Sequence, residues 1–295
     1  MKKNSFTPIS KIGEFELIKK ITNNIISYQK TTKLGVGDDA AIVSFSKNKN
    51  LLVSTDMLVE GIHFDCTYTP LKHLGYKSVV VNVSDICAMN AAPTQATVSI
   101  AIPTQFRDEM IQEIYDGIKL ACKNYSVDLV GGDTTATAGP LVISVNILGE
   151  SLASKLSLRS GAQNNDIVIV TGSLGAAYLG LQILEREKLI FKDSTEVQPD
   201  LNSYKYILER QLKPEARIDV IKNLKNLKVI PSSMIDISDG LSSELNHISK
   251  SSNLGIKIFI DKIPFAKETR KTAEELNIDL LVSALFGGED YELLF

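Results

Sequence analysis

The chain has 295 residues, 44% hydrophobic and 23% charged, with a formal net charge of −3. This is the composition of a soluble globular protein with room for two middling domains, and its dispersed lysines and arginines argue against nucleic acid as a partner. The basic start MKKNSFTPIS lacks the apolar core of a signal peptide, and no apolar run reaches the roughly 20 residues of a membrane span, so a cytoplasmic protein that does not engage membranes is expected.

Phe15, Leu17, Ile18, Ile21, Ile25 and Ile26 recur at helical spacing and predict an opening amphipathic helix. LLVSTD, residues 51–56, reads as a short buried strand. From Pro70, the run YKSVVVNVSDICAM is too long and continuous for one strand and predicts a helix despite its valines. ATVSIAIP and LVISVNILGE are strands with a helix over 106–125 between them; in the second strand Leu141, Ile143, Val145 and Ile147 alternate with Val142, Ser144 and Asn146, which gives one half-polar face. The pattern loosens over Ser151–Gly161, so the domains are expected to be 1–150 and 151–295. Beyond the boundary DIVIVTG predicts a strand, and a helix starts at Leu174. Residues 188–203 are polar, and further helices lie around Lys205–Leu227. SSMIDIS and GIKIFID predict strands on either side of the helix DGLSSELNHIS, a helix follows over Ala266–Leu276, and YELLF reads as a buried strand. Both halves are therefore α/β layers. Cys66, Cys87 and Cys122 fit neither a disulfide framework nor a zinc site and are expected as small buried apolar residues.

Six stretches place carboxylates at or near the end of an apolar element: GVGDDAA, STD, NVSD, GGD, DISDG and GGED. Any one of them reads equally well as a turn, since Asp and Gly are turn formers. Asp85, inside an apolar helix, and Asp133, at the end of a strand beginning Leu129 and Val130, resist that reading, because a buried unpaired charge costs several kcal/mol. Carboxylates gathered at one locus repel one another unless cations are present. Mg²⁺ suits them, together with the hydroxyls of Ser54, Thr55 and Ser238, and such sites serve phosphoryl transfer. There is no P-loop and no protein-kinase catalytic loop. The glycine loop GSLGAAYLG serves either phosphate binding or tight packing.

In this order GVGDDAAIV, STDMLVEGIHF, NVSDICAMNAAP, LVGGDTTAT, MIDISDGLSSEL and GGEDYEL closely resemble the thiamine-monophosphate kinases, members of the superfamily of aminoimidazole ribonucleotide synthetase and selenophosphate synthetase. The resemblance covers the chain from about Gly13 to its last residue. It implies a two-domain α/β fold whose N-terminal sheet forms a barrel with that of a second copy, so a homodimer. It also implies that Mg²⁺-assisted, in-line transfer of the γ-phosphoryl group of ATP converts thiamine monophosphate to thiamine diphosphate. By matching motif, Asp39, Ser54, Thr55, Asp56, Asp85, Asp133, Asp236 and Asp239 are expected to bind several magnesium ions. Gly132, Asp133, Arg159, Ser238 and Tyr115 are expected at ATP, and His63 and Glu289 at thiamine monophosphate. No residue is assigned as a general base and no phosphoenzyme is expected; positioning and charge stabilisation carry the rate.

Two departures accompany the resemblance. Asn90 and Ala91 stand where the family often has a glycine and a small residue, and Asn tolerates left-handed backbone. Family members also continue past GGEDYEL through further strand and helix, so the C-terminal domain is expected to be incomplete. Two alternatives stand beside the kinase reading: a non-catalytic fragment that binds ATP and Mg²⁺, and another enzyme of the superfamily acting on a different small molecule. No EF-hand loop supports a calcium binder.

Overall fold

The computed structural model describes residues 31–34, 37–44, 46, 48–193 and 201–295, and the helix expected over residues 15–26 lies outside them. The first half is one sheet backed by two helices. β1 (Thr32–Leu34), β2 (Ala41–Ser44) and β3 (Lys49–Val59) run as an antiparallel meander. They are followed by α1 (Leu71–Ala88), β4 (Ala92–Pro103), α2 (Asp108–Tyr125), β5 (Asp128–Thr137) and β6 (Val142–Leu152). The sheet order is β1-β2-β3-β6-β4-β5, antiparallel except where β5 lies parallel to β4. A crossover is needed to make two consecutive strands parallel, and α2 supplies it.

Fourteen of the eighteen residues of α1 are buried, so this helix has no solvent face to carry polar residues, and its valines are tolerated because tertiary packing overrides propensity. It is enclosed by the sheet on one side and α2 on the other, and the two helices meet backbone to backbone. A Cβ on Gly75 would stand 1.9 Å from the carbonyl oxygen of Ile114, and one on Gly117 1.9 Å from that of Lys72. Along β6, Ile143, Val145 and Ile147 face the helices and are fully buried, while Ser144 and Asn146 lie on the half-exposed opposite face, as the alternation predicts.

The second half contains α3 (Ala176–Asp193), α4 (Lys205–Leu212), α5 (Ile218–Leu227), β7 (Ile235–Asp236), α6 (Leu241–Ser252), α7 (Lys267–Leu276), α8 (Leu280–Phe286) and β8 (Leu293–Leu294). Its own core gathers Leu174, Ile235, Ile237, Leu241 and Leu294. Ile221 and Leu224 of α5, and Leu293 of β8, join the core of the first half instead, so the halves share packed surface.

Several expectations are corrected. DIVIVTG forms no strand: Ile169 exchanges backbone hydrogen bonds with Phe295, Thr171 donates to Leu293, and a bridge joins Val170 to Leu294, with no second neighbour among the described residues to continue a ladder. GIKIFID is not a strand either, and Ile258, Phe259 and Ile260 are exposed where pairing was expected. SSMIDIS narrows to two strand residues. The polar segment from 188 begins inside α3. Helix α8 was not foreseen, although Asp279 ahead of LLVSALF is a helix N-cap, its side chain accepting from Leu281 N–H. Cys87 and Cys122 are buried as expected, whereas Cys66 is only partly so.

Candidate functional site

The chain's carboxylates converge where β2, β3, α1 and β7 meet. Along β3, period-two alternation turns Ser54 and Asp56 towards α1 together with buried Leu52 and Leu58. Asp85 rises from the last turn of α1 and accepts a very short hydrogen bond from the Ser54 hydroxyl. Ser84, its neighbour, donates to Asp236 at 2.5 Å. Asp39 enters from the turn before β2. One oxygen each from Asp39, Asp85 and Asp236 lies within 4.8 Å of the others.

Asp85, Asp236 and Asp56 are all raised above the usual carboxylate range. Burial pushes Asp85 well above the usual carboxylate range, and the charges of Asp236, Asp56 and Asp39 push it further. Asp236 is raised to about 7, first by burial and then by Asp39. Burial also raises Asp56, against a hydrogen bond with Asp85 that lowers it. Two hydrogen-bonded carboxyl groups cannot both be ionised without a cation between them, so the bare cluster retains protons.

Arg159 brings a positive charge against the cluster. Its Nε and Nη2 donate to the two oxygens of Asp39 at 3.1 and 2.8 Å, and its backbone N–H donates to Asp38 at 3.1 Å. Asp38 is raised to about 6 by burial and by Asp39. The donor set is therefore hard carboxylate and hydroxyl oxygen, short of positive charge, which fits divalent magnesium and not a soft metal.

The remaining expected ligands do not join this cluster. Thr55 points to the opposite, open face of the sheet and is exposed. Asp133 lies in the middle of β5, not at a strand end, and the whole strand is exposed but for its last residue; the desolvation attributed to Asp133 from sequence is absent. Its register partner is Ser99, which lines the same open face. Gly132 sits beside it on β5, packed so closely that a Cβ would stand 1.9 Å from the carbonyl oxygen of Val98. Three strand spacings separate β3 from β5, about 14 Å. Tyr115 packs on the core from α2. Ser238 and Asp239 are exposed beyond β7, Asp239 N–H donating to Glu244 at 3.1 Å. Glu244 is buried and raised to about 8 by that burial.

The other expected pair does meet. His63 and Glu289, distant in sequence, line one open cavity of about 610 Å³, with Asp65, Tyr68, Lys77 and Gln211 among its walls. Val59 N–H donates to His63 Nδ1 at 3.1 Å, which leaves Nε2 to carry the proton of a neutral ring. Glu289 occupies left-handed backbone (φ +58°), next to Gly288 (φ +71°), whose Cβ would stand 2.6 Å from the carbonyl oxygen of Ser238. Glu289 N–H donates to that same oxygen at 2.7 Å. The GGEDYELLF stretch is thus laid along DISDG: Tyr291 N–H donates to Ile237, Ile237 N–H to Glu292, and Asp236 pairs with Leu293. The glycine loop before α3 is closely packed, Gly175 N–H donating to the Asp290 carboxylate at 2.7 Å. Lys77 and Gln211 were missed from sequence; a lone lysine in the apolar run of α1 was the available signal.

Residues 37–151 match the AIR synthase related protein N-terminal domain and residues 163–288 the AIR synthase related protein C-terminal domain. The chain is 37% identical over 282 residues to a thiamine-monophosphate kinase of Bacillus subtilis, covering 96% of this chain and 82% of that one. It is 36% identical over 287 residues to that of Aquifex aeolicus, covering 97% and 86%. A solved structure described as AaThiL complexed with AMPPCP and TMP superposes with a TM-score of 0.86 at 34% identity, over 99% of this chain and 87% of that one. A hydrogenase maturation protein HypE in complex with ATP, TM-score 0.64 and 20% identity over 90% and 73%, shares the fold.

Proposed function

The chain belongs to the thiamine-monophosphate kinase family, and from that premise we propose that the acid cluster and the His63–Glu289 cavity are the two halves of one phosphoryl-transfer site. The protein phosphorylates thiamine monophosphate to thiamine diphosphate with ATP as donor. The observation that carries the reading is the meeting of Asp39, Asp85 and Asp236 within 4.8 Å at an otherwise anionic, proton-retaining locus.

Asp39, Ser54, Asp56, Asp85 and Asp236 would hold magnesium ions, which supply charge neutralisation between two anionic phosphates when bound. Asp239, exposed beside the cluster on the loop after β7, would complete the set from the solvent side. Arg159 is placed to offer its planar fork to a nucleotide phosphate in exchange for Asp39 once the cluster is neutralised by a cation. Ser238 lies on the same loop, within a backbone hydrogen bond of Glu289, and would face donor and acceptor together. His63 and Glu289 orient the acceptor, and no side chain is needed as a strong base, because the attacking phosphate oxygen is already anionic.

Thr55 and Asp133 lie on the open face of the sheet, away from the acid cluster, with Gly132 beside Asp133 on β5. The open face of β3, β4 and β6 is half-exposed, and Leu129 and Val130 are exposed on edge strand β5; these features support pairing of the sheet with a second copy, which would enclose that face. A homodimer is accordingly part of the reading, with domains divided near residue 150, a cytoplasmic location, and Tyr115 near the nucleotide. Among the described residues no helix is long and apolar enough to cross a membrane.

The test is incubation with ATP, Mg²⁺ and thiamine monophosphate, followed by chromatographic separation of thiamine species. Thiamine diphosphate formed in step with ADP is expected; ATP binding without diphosphate would sink the reading.

A further inference from the structure

Lys77 is among the most deeply buried charged groups described, its side chain 4% exposed on a helix that is mostly buried. Burying an ammonium is tolerated only where partners are supplied. Two are: Lys77 Nζ lies 2.9 Å from Glu289 Oε1 and donates to the Gln211 carbonyl oxygen at 3.1 Å. Gln211 Nε2 in turn donates to Glu289 Oε2 at 2.8 Å. Both carboxylate oxygens of Glu289 are therefore gripped, one by a residue of α1 and one by a residue of α4, while the side chain as a whole stays 28% exposed and lines the cavity.

The backbone under Glu289 needs such restraint. A non-glycine residue in left-handed backbone is unfavourable on its own and persists where its surroundings over-determine it. Glu289 has the backbone bond to Ser238 and the two side-chain bonds, and of these the ion pair is the one anchored in the first half of the chain.

We propose that Lys77 is a positioning residue for acceptor recognition: it fixes the Glu289 carboxylate in the cavity and sets the affinity for thiamine monophosphate through that carboxylate. This rests on the reading of the cavity as the acceptor site. Binding energy depends on such preorganisation, because a carboxylate free to rotate must be ordered again each time the acceptor arrives.

The test is a double-mutant cycle read by steady-state kinetics on the full chain, with thiamine monophosphate, ATP and Mg²⁺ varied separately. Lys77→Met is expected to raise the KM for thiamine monophosphate about tenfold or more, with the KM for ATP unchanged. In a Glu289→Ala background the same substitution is expected to add less than about twofold, since the group it acts through is gone. Fully additive effects would overturn the proposal and put Lys77 in direct contact with the acceptor; an unchanged KM in Lys77→Met would overturn it as well. Should Lys77→Met fold poorly, Gln211→Leu removes the other grip while keeping volume, and it too must raise the acceptor KM alone. If Glu289→Ala leaves that KM unchanged, the acceptor reading of the cavity fails and the proposal with it; if only Lys77→Met and Gln211→Leu are silent, the cavity reading stands and the proposal falls.

Discussion

Arg159 and Asp39 are joined by two hydrogen bonds, 3.1 Å at Nε and 2.8 Å at Nη2, and this pair flanks the acid cluster. The guanidinium offsets charge that a bound cation would otherwise offset. Arg159→Met should lower the melting temperature of the metal-free protein, and Mg²⁺ should then raise it by more than in the wild type, because Asp39 is freed for the ion. Thermal unfolding with and without Mg²⁺ checks this; an equal or smaller Mg²⁺ effect in the variant would contradict it.

Ionisation of Asp85 is disfavoured by burial and by three neighbouring acids. Asp85→Asn removes that charge and keeps the shape, so the metal-free protein should hold or gain stability while turnover falls by about 100-fold or more. Melting temperature and initial rate are measured on the same preparation; a fall in both, or an unchanged rate, would show the assignment wrong.

The raised acids also dictate a pH dependence. Asp236 at about 7, Glu244 at about 8 and Asp290 at about 6 hold protons in the native protein that the unfolded chain, near its ordinary pKa of about 4, has released. Where the native state binds more protons, stability falls as pH rises. The contribution of these groups is complete below about pH 4 and is lost as the pH climbs through about 6 to 8. Without metal, the urea midpoint should therefore decline across that window, and added Mg²⁺, which competes with the protons, should stabilise more at about pH 8 than at about pH 6.

Gly117 meets the carbonyl oxygen of Lys72 where α1 crosses α2. Gly117→Ala would press a methyl group against backbone that has no rotamer to escape to. The expected loss is about 2–4 kcal/mol, despite the better helix propensity of alanine. A urea midpoint equal to that of the wild type would show that the helices separate freely.

Much of this architecture was legible in the residues. The buried helix α1 could be read through its valines, because a continuous apolar run of that length has no strand counterpart, and β6 could be read from its alternation. DIVIVTG and GIKIFID carry equally good strand patterns and fail as strands, since a strand also needs a neighbour, which a local pattern cannot supply. The site divides in the same way. Asp85 stood out because a charge in an apolar helix demands a reason, and it lies in the cluster. Asp133 was singled out for a similar reason, yet β5 is an exposed edge, so its burial in a strand could not be inferred from flanking Leu129 and Val130. Lys77 was passed over because its partner, Glu289, is supplied from the far end of the chain.

Lys77 and Asp85 stand eight residues apart on α1, a rise of about 12 Å along one rigid axis. The His63–Glu289 cavity and the acid cluster are thus gauged against each other by a helix, and the close Gly75–Gly117 crossing holds that helix against α2. A one-residue deletion between Lys77 and Asp85 would shorten the interval by about 1.5 Å and turn one end by about 100° relative to the other. The distance between cavity and cluster is therefore set by a count of residues along one helix.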